Sequence, residues 1–126
     1  MNTRKIGDKG EDIACKFLSS KGFWVLDRNY QKVWGEIDII AEKTGIIHFF
    51  EVKSIVVPEL WHAEAFHRPE ENVHGLKIRH IRRMIETYLE ETGRGLDAEF
   101  QFHVLCVFMS SQERKASVKW IQNIIL

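Results

Sequence analysis

The stretches GEIDIIA at residues 35–41 and FFEVK at residues 49–53 decide the fold, and both place charged residues within apolar sequence. Because side chains alternate along a β-strand, we expect Glu51 and Lys53 on one face of the second stretch and apolar side chains on the other. Buried charges are costly unless they pair or hold a metal ion. A cation site shared by Asp38 and Glu51 is therefore the simplest interpretation.

These two stretches are joined by a short turn at residues 43–45, so their strands should form an antiparallel hairpin. The hairpin brings Asp38 close to Glu51, because only one turn separates them along the chain. Strict alternation also places Glu36 on the same face as Asp38, with Ile37 and its neighbour at position 39 on the opposite face.

The whole chain predicts one α/β domain over residues 1–126, with two helices packed on a mixed five-stranded sheet. One predicted helix covers about residues 8–21 and precedes the first strand. The other covers 76–91, between the third and fourth strands. Its apolar stripe consists of Ile81, Met84, Ile85, Tyr88 and Leu89. The predicted strands are 23–26 (with 27–29 as a polar exit), 35–42, 46–54, 100–109 and 117–124.

The segment at about residues 55–75 has no regular period and contains both prolines of the chain. A loop of that length in a compact domain is usually functional or disordered, so we expect a flexible loop that gates a site or contacts a second subunit. Its histidines match no compact zinc-ligand spacing, which favours solvated loop histidines.

Composition limits the possible classes of protein. The chain has 18 basic and 18 acidic residues, which argues against a sequence-indifferent DNA coat but is compatible with a nuclease. No apolar run approaches the roughly 20 residues that a membrane-spanning helix needs, so we expect no membrane association. The isolated cysteines at 15 and 106 form no CxxC pair, and reduced thiols in a cytoplasmic protein are the simplest interpretation.

The charged residues are those that metal-assisted phosphodiester hydrolysis requires. Asp38 and Glu51 are candidate ligands of Mg²⁺ (or Mn²⁺), a hard cation that prefers oxygen and keeps several waters. The backbone carbonyl of Val52 is a further candidate ligand. The metal neutralises phosphate charge and acidifies the attacking water. Lys53 would orient that water or stabilise charge at phosphorus.

Together with Gly10-Glu11 and Ala14, these blocks resemble the small YraN-like family of the restriction-endonuclease-like, or PD-(D/E)xK, superfamily, related to Holliday-junction resolvases. The resemblance covers most of the chain, with its motif blocks across about residues 7–54. It implies a restriction-endonuclease-like core, a metal-dependent nuclease activity on branched or structured DNA, and a homodimer, since cutting both strands of a junction needs two sites.

The resemblance also implies a role for individual residues. Asp38 matches the motif aspartate, Glu51 the second metal ligand and Lys53 the motif lysine. Glu11 matches a helix glutamate that reaches toward the metal, and Glu36 an accessory glutamate typical of the family. Each has a plainer interpretation: an ion-pair ladder across a half-exposed hairpin, a solvated partner for a lysine, or a first-turn residue favoured by the helix dipole.

The late strand departs from the pattern that the resemblance implies. Gln101 and His103 stand where an arginine and an aspartate are expected, and His103 within apolar sequence is more simply a core histidine. Trp24 is expected in the core, whereas Trp34 is a candidate for stacking on bases.

The second helix carries basic residues in its first half, and these are either phosphate contacts or a solvated helix face. They are Lys77, Arg79, Arg82 and Arg83. The function that the sequence predicts is a metal-dependent endonuclease acting on DNA. Two alternatives stay open, a non-catalytic nucleic-acid-binding or adaptor protein with the same fold and an RNA-directed nuclease.

Overall fold

The computed structural model describes residues 2–66, 73 and 76–126. In chain order the elements are α1 (Thr3–Ser20), β1 (Trp24–Lys32), β2 (Gly35–Lys43), β3 (Ile46–Val57), α2 (Leu60–Phe66), α3 (Ile78–Glu91), β4 (Phe100–Ser110) and β5 (Ala116–Ile121). Across these described ranges, no helix has the length and apolar character needed to cross a membrane.

The strands form one five-stranded sheet in the order β1-β2-β3-β4-β5. The β3–β4 pair is parallel, and the other neighbouring pairs are antiparallel. A parallel pair needs a long crossover, and here α2 and α3 lie in it. The mixed sheet, the helix before the first strand and the helix between β3 and β4 confirm the predicted α/β restriction-endonuclease-like core.

Each face of the sheet buries its own apolar cluster. On one face, Ala14 and Leu18 of α1 pack with Phe50 of β3. On the other face, α3 packs over Phe49 and Phe102. The α3 residues that are buried are Ile81, Met84, Ile85, Tyr88 and Leu89, the stripe that the sequence predicts. Neighbouring phenylalanines of β3 thus supply both cores, as strand alternation requires.

The first strand differs from its prediction. Residues 27–29 are not a strand exit, because β1 continues to Lys32 with a register shift between Val25 and Asp27. Trp24, expected in the core, is 75% exposed. Both differences have the same cause. β1 is an edge strand, so its polar residues face water without ending the strand, and its apolar residues are not all covered.

The segment predicted as a flexible loop at 55–75 is partly regular. β3 extends to Val57 because it remains paired with β4 up to Val57 and Ser110, and α2 follows from Leu60. The loop prediction is therefore wrong for 55–57 and 60–66. Residues 67–72 and 74–75 lie outside the described residues, so flexibility there stays a prediction.

A close helix–strand approach fixes α1 against β3. Gly10 is buried, and a Cβ atom added there would lie 1.8 Å from Ser54 Oγ and 2.8 Å from Ser54 Cβ. Only glycine permits this approach. Because Glu11 is the next residue of α1, the approach also determines how close Glu11 lies to the sheet.

We expect Gly10→Ala to lower the free energy of unfolding by about 1–3 kcal/mol, the usual cost of overpacking. Gly7→Ala is the matched control on the same helix, since no atom of the described residues lies within 4 Å of its added Cβ. That change should be neutral or raise stability by up to about 1 kcal/mol. Urea unfolding of both variants measures the difference, and equal effects would contradict the close approach.

A buried histidine pair links β3 to β4. His103 is 1% exposed, and its Nδ1 accepts a hydrogen bond from the Asn123 backbone N–H at 2.9 Å. Its Nε2 therefore carries the ring proton and donates to His48 Nδ1, also at 2.9 Å. Burial, followed by repulsion from His48, lowers the pKa of His103 to about 4. His103 is thus a core histidine, as the sequence predicts.

We expect this pair to make the fold acid-sensitive. A histidine whose folded pKa is about 4 contributes stability above its ordinary value of 6.5, and that contribution is lost as pH falls from 6.5 toward 4. His103→Gln keeps a hydrogen-bonding side chain without the titration. Denaturant unfolding at pH 7 and pH 4.5 should show a smaller loss for this variant than for wild type. The exposed His80→Gln should match wild type, and an equal loss in all three proteins would contradict the assignment.

Candidate functional site

The centre of the candidate site is a fork in the sheet. The β2–β3 ladder ends at the Ile39–Phe50 pair, although both strands continue beyond it. Just past this pair, Asp38 Oδ2 accepts a hydrogen bond from the Val52 backbone N–H at 2.8 Å. A side chain therefore replaces the strand partner that Val52 has lost. Asp38 is 7% exposed, so its carboxylate lies inside the fork.

Strict alternation fails at this fork. Ile37 packs in the cluster beneath α3 and Ile39 in the cluster beneath α1, so the prediction that they share a face is wrong. In β1, Asn29 lies opposite Asp38, between the Arg28–Ile39 pair and the next one, and adopts a left-handed φ of 53°. Both strands change faces at the same level because β2 has lost its partner on the β3 side.

Along β3, alternation holds as predicted. Glu51 and Lys53 lie on the face opposite Phe50, and Lys53 Nζ is 3.4 Å from Glu51 Oε1. Their side chains are partly exposed, at 24% for Glu51 and 42% for Lys53. The ion pair therefore lies at the surface of the fork, above the buried Asp38.

The glutamate of α1 reaches the same region. Glu11 Oε1 is buried and accepts no hydrogen bond from the described residues, and Arg28 Nη2 is 3.8 Å away. Burial raises the pKa of Glu11, while Arg28 and a hydrogen bond from Asn29 lower it. A buried carboxylate oxygen without a hydrogen-bond donor among the described residues can serve as a ligand for a cation.

Burial and the neighbouring carboxylates together raise the pKa of Asp38. Its pKa is raised to about 8, first by burial and then by Glu51, with smaller contributions from Glu11 and Glu36. The Val52 N–H acts in the opposite direction. Burial and these neighbours therefore favour the protonated form of Asp38, and a bound cation would favour the ionised form.

These residues fit a hard divalent cation in chemistry but are not pre-arranged around one. Carboxylate oxygens and backbone carbonyls are the ligands that Mg²⁺ prefers, and Mg²⁺ keeps several waters. Within the described part of the chain, no group of three His, Cys, Asp or Glu side chains has metal-binding spacing. Two carboxylates with waters therefore match the geometry better than a full protein cage. A role for the Val52 carbonyl stays a prediction.

The basic half of α3 lies beside the fork. A groove of about 610 Å³ is bordered by Glu36, Glu51, Lys53, Lys77 and His80, together with the β1–β2 turn. An adjoining depression along α3 contains Arg79, His80, Arg82, Arg83 and Glu86. The structure therefore brings Lys77 into one groove with Glu36 and Glu51, and it places the predicted arginines in the adjoining depression. Phosphate contact stays a prediction.

Trp34 borders the same groove, and the Arg83 guanidinium lies 4.1 Å from its ring centroid. The two residues form a cation–π pair, in which the charge of Arg83 is held over an aromatic face. A larger cavity of about 780 Å³ lies on the far side of α1, between Ile13 and Arg114 among others. None of the candidate carboxylates lines it, so chemistry rather than volume identifies the site.

Two residues of β1 were missed from sequence. Arg28 Nη2 lies 2.9 Å from Asp12 Oδ1 and 3.8 Å from Glu11 Oε1. Asn29 is close enough to Glu11 to lower the pKa of its carboxyl group. Both fell in the stretch predicted as a strand exit. The available signal was Asn29 itself, since asparagine tolerates the left-handed conformation that a change of strand face needs.

Known proteins resemble this chain over a range that includes the candidate site residues. A model of the family described as "Uncharacterised protein family UPF0102" matches residues 10–107. The chain belongs to this family. UPF0102 is the YraN family, so the resemblance stated from sequence is confirmed.

UPF0102 relatives cover nearly the whole chain. A "UPF0102 protein" of Campylobacter lari is 37% identical over 94% of this chain and 91% of the relative. Another from Dictyoglomus turgidum is 35% identical over 98% of both chains. A third, from Campylobacter fetus subsp. fetus, is 36% identical over 94% of this chain. The names of these relatives state the family and no activity.

We expect Asp38→Asn to stabilise the protein in the presence of a chelator. With a folded pKa of about 8 against 3.8 ordinarily, Asp38 supports the fold at low pH, and this support is lost as pH rises between those values. Asparagine stays neutral and still accepts from Val52. At pH 8 the variant should be more stable than wild type by at least about 1 kcal/mol, with the difference vanishing near pH 4. Thermal unfolding across this range checks it, and a less stable variant at pH 8 would contradict it.

Proposed function

We propose that this UPF0102 protein is a metal-dependent endonuclease that hydrolyses phosphodiester bonds in DNA. The observation that carries the proposal is the buried Asp38 at the fork, with Glu51 beside it and the orphaned Glu11 oxygen nearby. Lys53 lies on the same strand face as Glu51 and pairs with it. This set of groups is what metal-assisted phosphoryl transfer uses.

The arrangement favours this chemistry over a surface ion-pair ladder. In a ladder, each carboxylate would be exposed and would face a cation. Asp38 is instead buried, and its hydrogen-bond partner is a backbone N–H. Among the ion pairs of the described residues, none includes Asp38. A buried carboxylate without a cationic partner is costly, and a metal ion would remove that cost.

Each residue of the proposed site would have its own role. Asp38 and Glu51 would hold Mg²⁺ or Mn²⁺, with Glu11 assisting from α1. The metal, when bound, supplies charge neutralisation at the phosphate and an acidified water. Lys53 is near enough to Glu51 to orient that water or to stabilise charge on the phosphate oxygens. Glu36, which raises the pKa of Asp38, is an accessory acidic group.

The groove beside the fork supports a nucleic-acid substrate. Lys77 borders the groove itself, and the arginines of α3 border the depression that adjoins it. They would hold phosphates while the chain as a whole stays neutral. Branched or structured DNA as substrate and a homodimer as working unit are further parts of the proposal, and the family resemblance is what supports them.

A non-catalytic nucleic-acid-binding protein with the same fold is the second candidate. Two observations favour it: the absence of a pre-arranged metal cluster among the described residues, and the late-strand departure at His103. His103 is bound to His48 and to the Asn123 backbone in the core, so it supplies nothing to the fork.

Cleavage of labelled four-way-junction, flap, single-stranded and linear duplex DNA, and of matched RNA, tests the proposal. With Mg²⁺ or Mn²⁺ the wild-type protein should cut DNA. Asp38→Asn, Glu51→Gln and Lys53→Ala should each lower the rate by about 100-fold or more, because each removes a group that acts on the reacting phosphate. Chelation should abolish cutting by the wild-type protein.

Two exposed residues give matched controls. Glu99→Gln and Lys16→Ala make the same chemical changes away from the groove, and both should cut like wild type. DNA binding without cleavage under every condition would support the non-catalytic alternative. Normal cleavage by folded Asp38→Asn would overturn the assignment of the site, and cleavage of RNA alone would change the substrate class.

A further inference from the structure

The turn between β1 and β2 contains residue types that are unusual in a two-residue hairpin turn. Lys32 pairs with Gly35, so Val33 and Trp34 alone form the connection. Two-residue turns usually contain glycine, asparagine, aspartate, serine or proline. Val33 is instead fully exposed, at 103%. A β-branched apolar residue at the tip of a hairpin gains no burial there, which is a local conflict with stability of the kind found at functional positions.

The root of this turn is held firmly against α3. Trp34 packs against the apolar cluster beneath α3, and the Arg83 guanidinium covers its ring at 4.1 Å. A Cβ atom added to Gly35 would lie 3.3 Å from Met84 Cγ, so the backbone also approaches α3 closely. The half-buried tryptophan therefore anchors the turn, and the exposed valine projects from a supported backbone.

The tip also borders the groove of the proposed nuclease site. Val33 and Trp34 line the same space as Glu51, Lys53 and Lys77. A DNA strand whose phosphate reached the fork would therefore pass beside the exposed valine. Basic and acidic groups surround the tip, and this setting suits a nucleic acid better than an apolar protein surface.

We propose that the Val33–Trp34 turn is a wedge that recognises interruptions in the base stack of duplex DNA, with Val33 entering the gap and Trp34 acting as its rigid base. Apolar side chains that enter DNA must separate neighbouring bases, which costs stacking energy. At a branch, nick or bulge the stacking is weaker than in a continuous duplex, so the same insertion costs less. The wedge would thus give preference for interrupted over continuous duplexes. This inference rests on the proposed function, because it needs DNA in the groove.

Binding measurements with Val33→Ser test the wedge directly. The probes are a four-way junction and a continuous duplex of the same length, each carrying 2-aminopurine, whose fluorescence rises when its base unstacks. Wild type should bind the junction more tightly and raise the fluorescence beside the branch. Val33→Ser should lose about tenfold in junction affinity, with duplex affinity unchanged within about twofold, because only the insertion is removed. The fluorescence rise should also disappear.

Val56→Ser is the matched control, because Val56 is also exposed (47%) but borders the cavity on the far side of α1. It should leave junction preference intact. Equal loss in both variants, or unchanged preference and fluorescence in Val33→Ser, would overturn the wedge. Circular dichroism should find Val33→Ser folded, since its side chain contributes no burial.

The wedge and the nuclease assignment fail separately in this design. If no protein cuts DNA but junction preference depends on Val33, the nuclease proposal fails and the wedge stands. If cutting depends on Asp38 while Val33→Ser retains full junction preference, the wedge fails and the nuclease stands. Failure of the wild-type protein to bind either DNA would overturn both.

Discussion

The hydrogen bond from the Val52 backbone N–H to Asp38 is the interaction on which the candidate site depends. It lies where the β2–β3 ladder ends, so a backbone donor that has lost its strand partner is still satisfied. Because a side chain makes the bond, the two strands can diverge while Asp38 stays buried between them. The contact that completes the sheet therefore also positions the buried carboxylate at the fork, next to the groove that Glu51 borders.

The negative charges around this hydrogen bond destabilise the fold when Asp38 is ionised. Burial raises the pKa of Asp38 most, Glu51, Glu11 and Glu36 raise it further, and the backbone N–H of Val52 lowers it. The neighbouring cations pair with the outer carboxylates, since Lys53 lies near Glu51 and Arg28 near Glu11. Such a conflict is expected where side chains serve a ligand, and it links the cost of burying Asp38 to the proposed metal chemistry.

Much of the fold could be predicted from residue patterns. The α3 stripe and the shared face of Glu51 and Lys53 were correct, because local periodicity decides them. The predictions failed where a neighbouring element decides the outcome. β3 runs on to Val57 because β4 pairs with it, and Trp24 is exposed because no residue of the described ranges covers its side of the edge strand. Neither neighbour can be read from a local window of sequence.

The sequence by itself determined the α/β class, the hairpin that brings Asp38 to Glu51, and the set of acidic and basic residues available for chemistry. Side-chain alternation and turn residues depend on local sequence, so they can be recognised without knowledge of the tertiary structure. Only the tertiary structure decided that Asp38 is buried at a fork and that Val33 is exposed at the edge of the groove. It also decided that a buried Glu11 oxygen receives no hydrogen bond from the described part of the chain. These features depend on where one strand leaves another and how closely a helix approaches, which are properties of packing between distant segments.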